Sequence, residues 1–186
     1  MIDYKILEIP DLILIEPKAF HDDRGFFYES YNKKDFEDVI GKKINFVQDN
    51  HSKSIKSVLR GLHFQSPPHA QDKLVRAVRG EMYDVAVDLR VNSKHFGSWC
   101  AELLTDKNKR QMWIPKGFAH GFLVISDEAE ICYKTSSFYN KSSDISIKWN
   151  DKDLDIKWPK LESDFLISSK DINAISFKEY KDKPFF

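Results

Sequence analysis

Apolar and polar residues alternate with period two in short runs over most of the chain, a pattern typical of strands that bury one face in a core. Clusters of Gly, Pro, Asp and Ser separate these runs. The predicted strands lie within residues 4–15, 20–29, 44–50, 58–65, 73–79, 81–90, 98–105, 110–114, 121–125 and 130–136. Many short strands with almost no helix predict an all-β sandwich or barrel.

One segment has helical spacing instead. Phe36, Val39 and Ile40 recur on one helix face, Asn32 is a suitable N-cap, and Gly41 lies just past the expected end. We expect this helix to have a structural role.

The tail from residue 158 onward has a less regular pattern than the rest of the chain. Its apolar residues Leu166, Ile167 and Ile172 are expected to dock against the barrel, because exposed aliphatic side chains gain most by burial. No internal repeat or low-complexity segment interrupts the chain.

Composition narrows the class of protein. With 186 residues and 41% hydrophobic content, the chain can bury one core, so we expect a single domain over residues 1–186. Lys plus Arg equals Asp plus Glu at 29 each, so no overall field attracts nucleic acid or an anionic membrane. A polyanionic ligand would therefore need a local cluster of cations.

The expected location is the reducing cytoplasm. Cys100 and Cys132 are too few for a disulfide framework or a CxxC metal site. The first residues lack the pattern of a signal peptide, and no apolar run approaches the roughly 20 residues of a membrane span. We expect no membrane partner and no nucleic-acid partner.

The stretch from Val58 to Gln65 combines a cation, a glycine and an imidazole within four residues. Strict strand alternation would place Gly61 and His63 on one face and Arg60 on the other. A glycine permits close approach of another backbone, and a neutral imidazole can act as a general base near pH 7. The alternative is that this lone histidine in a mixed strand is an ordinary polar residue with a hydrogen-bond partner and no role in chemistry.

Several long motifs follow that stretch in a distinctive order: Ala70–Arg76, Gly80–Arg90 and Trp113–Phe122. Their order and spacing resemble the dTDP-4-dehydrorhamnose 3,5-epimerases, and the resemblance covers residues 20–171. It implies a cupin-type jelly-roll barrel with short peripheral helices. It also implies a homodimer, because sites in that family take residues from the neighbouring subunit through its N-terminal strands.

The resemblance implies a reaction without cofactor or metal. The substrate class is a 4-keto-6-deoxy sugar on a nucleoside diphosphate, in the first place dTDP-4-dehydro-6-deoxy-D-glucose, which becomes dTDP-4-dehydro-L-rhamnose. Hydrogens on the carbons beside the ketone are acidic, because the negative charge left after proton removal is shared with the ketone oxygen as an enolate. Inversion needs a base and an acid on opposite faces. The matching residues are His63 as base, Tyr133 as acid and Asp171 as the carboxylate that orients the imidazole.

Further residues match substrate contacts of the family. Arg60 and His120 correspond to groups beside the sugar and its enolate oxygen, where donor or positive character stabilises charge. The cationic Arg24, Lys73 and Lys170 suit a diphosphate. The remaining matches are Glu29, Gln48, Asn50, Asp144 and Tyr139, the last as an aromatic that stacks near the base.

Some departures from the family leave the substrate open. Phe64 stands where tyrosine is common, Asp144 where glutamate is usual, and one extra residue precedes Lys170. A GDP-linked 4-keto-6-deoxy heptose or another nucleotide sugar is the alternative substrate, and inversion of only C3 or only C5 is the alternative outcome.

Two rival classes remain. The first is a metal-binding cupin, which would bind its metal through an HxH pair, but here Gln65 occupies the position of the second histidine. A metal site would therefore require His69, His95 and His120 to converge with His63. The other rival is a non-catalytic sugar-binding module, which would never exchange a sugar hydrogen with solvent.

Overall fold

The computed structural model describes residues 2–186. Its strands are β1 (Asp3–Ile6), β2 (Ile13–Glu16), β3 (Phe20–Asp22), β4 (Gly25–Phe27), β5 (Gln48–Ile55), β6 (Val58–Gln65), β7 (Lys73–Arg79), β8 (Glu81–Asp88), β9 (Trp99–Thr105), β10 (Gln111–Ile114), β11 (Phe118–Val124), β12 (Glu128–Thr135), β13 (Asp144–Ser146) and β14 (Leu166–Ile167). The helices are α1 (Lys33–Ile40), α2 (Ser169–Ile172) and α3 (Phe177–Asp182).

Two antiparallel sheets form a barrel of the jelly-roll type. The first sheet has the order β1-β2-β10-β7-β12-β5, and the second has the order β13-β6-β11-β8-β9, with β14 parallel to β6. Residues such as Met82, Ala86, Met112 and Ile131 fill the space between them. The predicted all-β class is confirmed. Strands β3 and β4 form a separate hairpin.

Two smaller cores cover the outer faces of the sheets. Helix α1 packs Phe36 against Trp113 on the first sheet. The C-terminal segment packs Phe177 and Tyr180 against the outward face of β8, which includes Val85. The face of β8 that carries Val85 is therefore buried under this segment, and its other face contributes Met82 and Ala86 to the barrel interior.

Helix α1 has the predicted ends. The side chain of Asn32 accepts a hydrogen bond from the backbone N–H of Lys34, and Gly41 adopts a left-handed φ of 67°. Both features satisfy backbone groups that a helix end leaves unpaired. None of the helices in residues 2–186 has the length and apolar character needed to cross a membrane.

Two predictions about the limits and packing of elements need correction. The strand predicted at residues 44–50 begins at Gln48 and continues to Ile55, because its pairing partner β12 extends that far. In the tail, Leu166 and Ile172 are 50% and 59% exposed. The segment docks instead through backbone pairing of β14 with β6 and through the aromatic residues of α3.

The alternation predicted for β6 is interrupted at Gly61. Its pairing with β11 shifts between His120 and Phe122, so Arg60 and His63 line the same cavity although strict alternation would separate them. Gly61 has a φ of 138°, and a Cβ there would lie 2.5 Å from the Cα of Gly121. The irregularity requires glycine at this crossing and positions the site described next.

Candidate active site

A cavity of about 280 Å³ opens between the two sheets. It is lined by residues from β5, β6, β7, β11 and β12 and from the segments after β12 and β14. Most of the residues singled out from the sequence line it: Gln48, Asn50, Arg60, His63, Lys73, His120, Tyr133, Tyr139, Asp144 and Lys170.

His63 and Asp171 form a hydrogen-bonded pair at this cavity. The Nε2 atom of His63 lies 2.5 Å from Oδ1 of Asp171, and the second carboxylate oxygen accepts from the backbone N–H of Gly61. Burial alone would raise the pKa of Asp171, but its hydrogen bonds and the nearby imidazole outweigh burial and lower it. An ionised Asp171 accepts the Nε2 proton, so Nδ1 of His63 is the nitrogen available to act as a base.

Helix α2 brings Asp171 to this position. Ser168 caps the helix by accepting from the backbone N–H of Asp171, and the carboxylate is buried behind β6. Because α2 follows β14, the pairing of β14 with β6 carries the helix to the back of His63. The backbone geometry thus joins residues more than a hundred positions apart in the chain.

Tyr133 lies on β12 in the opposite sheet and lines the same cavity. Burial raises the pKa of its phenol, and the opposing effect of Arg60 is smaller. The hydroxyl therefore keeps its proton near neutral pH and is able to donate it. An imidazole and a protonated phenol from facing sheets therefore line one cavity.

Two cations lie beside this pair. The guanidinium of Arg60 is held by Ser54, whose Oγ accepts from Nε at 3.1 Å and from Nη2 at 2.9 Å. Lys73 is only 8% exposed, and burial lowers its pKa to about 8 although Asp144 and Asp84 oppose the shift. Positive charge here favours an anion inside the cavity.

A hydrogen-bonded network forms the rim. Asp144 accepts from the hydroxyl of Tyr139 at 3.0 Å and from Nζ of Lys170 at 2.5 Å, so one carboxylate ties the loop after β12 to α2. Gln48 donates to Asn50 and accepts from the backbone N–H of Tyr139. An exposed aromatic ring and a lysine at the mouth suit a flat base and a phosphate.

Arg24 and Glu29 are not brought to the cavity of their own subunit. Arg24 lies at the turn of the β3–β4 hairpin and donates to Asp22 at 2.5 Å. Glu29 lies just beyond β4 and is exposed. Within one chain, these two predicted contacts are therefore separate from the others.

Other residues of the cavity were not singled out from the sequence. Gln65 and Gln71 line it and hold the loop after β12 through backbone groups of Asn140 and Ser137. Asp84 is fully buried and lies 2.7 Å from Nε2 of His120. A signal for Asp84 was present, since this carboxylate stands between Met82 and Ala86 on one strand face.

The histidines do not gather into one cluster. His120 is paired with His63 across β6 and β11, whereas His69 and His95 do not line the cavity. Among residues 2–186, no three His, Cys, Asp or Glu side chains are grouped as a set of metal ligands.

The arrangement suits proton transfer next to a carbonyl group. An imidazole with a free nitrogen can take a proton from carbon, the cations can stabilise the resulting oxyanion, and the phenol can return a proton from the facing sheet. These steps together exchange or invert a carbon centre.

Comparison with known proteins agrees with this chemistry. The family model for dTDP-4-dehydrorhamnose 3,5-epimerase matches residues 6–179. Proteins of that name are 58% identical over 170 residues in Shigella flexneri (91% of this chain, 93% of the relative) and 55% identical over 172 residues in Escherichia coli K12 (92% of each). The crystal structure of the dTDP-6-deoxy-D-glucose-3,5-epimerase of Legionella pneumophila with dTDP-4-keto-L-rhamnose has a TM-score of 0.93 at 47% identity, covering 96% of this chain and 94% of the other. The chain therefore belongs to the dTDP-4-dehydrorhamnose 3,5-epimerase family of isomerases.

Proposed function

We propose that this protein inverts both C3 and C5 of dTDP-4-dehydro-6-deoxy-D-glucose and releases dTDP-4-dehydro-L-rhamnose. The observation that carries the proposal is the cavity that His63 and Tyr133 line together, with Asp171 bonded to the far side of the imidazole. Similarity to named epimerases over nearly the whole chain supports the same substrate class.

In the proposed mechanism, Nδ1 of His63 removes the hydrogen from a carbon next to the C4 ketone. The electron pair moves to the ketone oxygen as an enolate, which the cations of Arg60 and Lys73 stabilise. Tyr133 then gives its proton to the opposite face of the same carbon, which inverts it. Asp171 stabilises the imidazolium that His63 becomes. Because C3 and C5 both flank the ketone, the same groups serve both centres, once His63 has released its proton to solvent and Tyr133 has taken one up.

The nucleotide is expected to lie at the rim. Lys170 supplies positive charge for the diphosphate, and the exposed ring of Tyr139 supplies a surface for stacking a base. Asp144 binds both side chains, so it fixes their spacing. Gln48 and Asn50 supply amide groups for the base edge or the sugar hydroxyls.

Solvent exchange tests the reaction and the nucleotide together. The enzyme is incubated in D₂O with dTDP- and GDP-linked 4-keto sugars, and NMR locates the label. Deuterium at C3 and C5 of the dTDP sugar, with the L-configured product, is the expected result. Label at one carbon only would mean that the protein inverts a single centre. Label only in a GDP-linked sugar would mean that the substrate carries GDP in place of dTDP. No label in any sugar would indicate a non-catalytic binding module.

The pH profile should report the charge of Lys73. Its pKa is about 8, lower than that of an ordinary lysine because the group is buried. The cation is present below that pH and lost above it, so kcat/KM should fall through an alkaline limb near pH 8. Lys73→Arg, which stays charged, should move the limb upward. A wild-type profile that stays flat to pH 10 would contradict the requirement for this cation.

We also propose a homodimer in which the β3–β4 hairpin completes the neighbouring site. The hairpin exposes apolar rings, with Phe27 69% exposed, and carries Arg24 away from its own cavity. A second copy would cover these rings and receive Arg24 and Glu29 at its rim.

Mixing two defective variants tests the shared site. His63→Asn and Arg24→Ala are each expected to be impaired, but a mixed dimer contains one site with both native residues. Activity should therefore reappear when the two variants exchange subunits. Failure to regain activity in mixed dimers would place Arg24 outside the neighbouring site, and a monomer in sedimentation at micromolar concentration would exclude the dimer.

A further inference from the structure

A second histidine–carboxylate pair lies directly beside the first. His120 on β11 is the register partner of His63 on β6, and its Nε2 atom lies 2.7 Å from Oδ1 of Asp84 on β8. In both pairs, Nε2 is the nitrogen that meets the carboxylate. The two imidazoles are thus held in the same way on neighbouring strands.

The second ring nitrogen of His120 opens on the cavity. Nδ1 has no hydrogen-bond partner within residues 2–186, and it is not among the buried, unpartnered atoms that solvent cannot reach. His120 itself lines the cavity. Nδ1 is therefore the atom that this side chain offers to a bound sugar.

Asp84 determines which proton the ring carries. The carboxylate is 0% exposed, its Oδ1 meets His120, and its Oδ2 has no partner among the described residues. With Oδ1 of Asp84 as the acceptor in this contact, the proton of a neutral His120 lies on Nε2. The ring is then left with a lone pair on Nδ1.

The surroundings of His120 favour its neutral form. Burial lowers the pKa of this histidine, and although Asp84 opposes the shift, Lys73 and His63 add to it. Protonating His120 would place a third positive group beside Lys73 and Arg60 in one cavity. Near neutral pH, Nδ1 is therefore an acceptor and has no proton to donate.

We propose that Asp84 is a positioning residue that holds His120 as a hydrogen-bond acceptor for a sugar hydroxyl next to the reacting carbons. This inference rests on the proposed function and refines it. A 4-keto-6-deoxy hexose linked through C1 keeps hydroxyls only at C2 and C3, so these are the donors available to Nδ1. The family resemblance predicts donor character at His120. In this proposal Arg60 and Lys73 stabilise the enolate oxygen, and His120 accepts a hydrogen bond from a hydroxyl instead.

The ring tautomer is measured first, in the free enzyme. Protein labelled with ¹⁵N-histidine is studied by long-range ¹H–¹⁵N correlation near pH 7, and the signals missing from His120→Gln identify His120. We expect a protonated Nε2 and an unprotonated Nδ1. A proton on Nδ1, alone or together with one on Nε2, would overturn the proposal. This measurement needs no substrate, so it stands even if the enzyme acts on a different sugar.

The hydroxyl is then tested with substrate analogues. Wild-type enzyme should lose on the order of 10- to 100-fold in kcat/KM with either the 2-deoxy or the 3-deoxy dTDP-4-keto sugar, because one buried acceptor is left unpaired. In Asp84→Asn an amide N–H can face Nε2 and move the ring proton to Nδ1, and the same ¹H–¹⁵N correlation verifies that the proton has moved. This variant should raise KM for the full sugar while kcat changes little. The deoxy analogue that lowers kcat/KM in the wild-type enzyme should then cause little further loss of kcat/KM in the variant.

Asp171→Asn is the matched control, because it alters the other pair and should lower kcat without removing the analogue penalty. No loss with either analogue in the wild-type enzyme would overturn the acceptor role. A fall in kcat at unchanged KM in Asp84→Asn would overturn the proposal, because His120 would then stabilise the enolate. Loss of exchange at one carbon in His120→Gln would also overturn it, because His120 would then act as a second base. If no sugar exchanges in wild-type enzyme, the proposed function fails while the tautomer result remains.

Discussion

His63→Asn is expected to lower kcat by about 10²–10⁴-fold at both C3 and C5, since a positioned general base typically contributes that much. The amide keeps the size and polarity of the site but cannot take a proton from carbon. Asp171, now without an imidazole, stays in place on α2. NMR in D₂O should show that deuterium no longer enters either carbon of the dTDP sugar, whereas dTDP binding by calorimetry changes little.

His51→Asn is the matched control for that variant. His51 lies on the exposed face of β5 and pairs with Glu130 outside the cavity of His63. Its replacement should leave turnover unchanged. Turnover by His63→Asn at the rate of this control would show that the base is another group.

Tyr133→Phe is expected to separate proton removal from inversion. The base can still form the enolate, but the facing proton donor is gone, so the proton returns mainly from the side of His63. We expect deuterium to enter the unreacted sugar while formation of the inverted product falls by about 10²–10⁴-fold. Parallel NMR measurements of label and of product configuration distinguish these two events.

The control for the phenol is Tyr83→Phe. Tyr83 lies on the outward face of β8 and packs against Trp158, away from the cavity. This variant should form product at the wild-type rate. Normal inversion by Tyr133→Phe would mean that the acid lies elsewhere, because no other change in that variant affects proton transfer.

The local elements were predictable where short-range chemistry controls them. Asn32 and Gly41 mark the ends of α1 because a side-chain oxygen and a left-handed glycine satisfy unpaired backbone groups. Alternating residues predicted most strands to within a few positions, because the two faces of a strand differ in burial. The strand predicted at residues 44–50 was misplaced, since its limits depend on pairing with β12.

The candidate site was predictable in its residue types and less so in its geometry. The order of long motifs identified His63 and Tyr133 as candidates, and the cavity contains both. Alternation alone placed Arg60 on the wrong face of β6, because a shift in pairing with β11 cannot be read from one strand. The role of Asp84 could not be predicted, because its partner His120 lies on another strand and is known only from the folded structure.

The sequence by itself determined the all-β class, the capped helix and the set of groups able to move a proton, since each follows from local pattern or from a side chain's own chemistry. Only the tertiary structure decided which nitrogen of each imidazole meets a carboxylate, that burial lowers the pKa of Lys73, and that Arg24 lies apart from its own site. The reason is physical: hydrogen-bond partners and desolvation depend on residues that are far away in the chain and become neighbours only when the two sheets close.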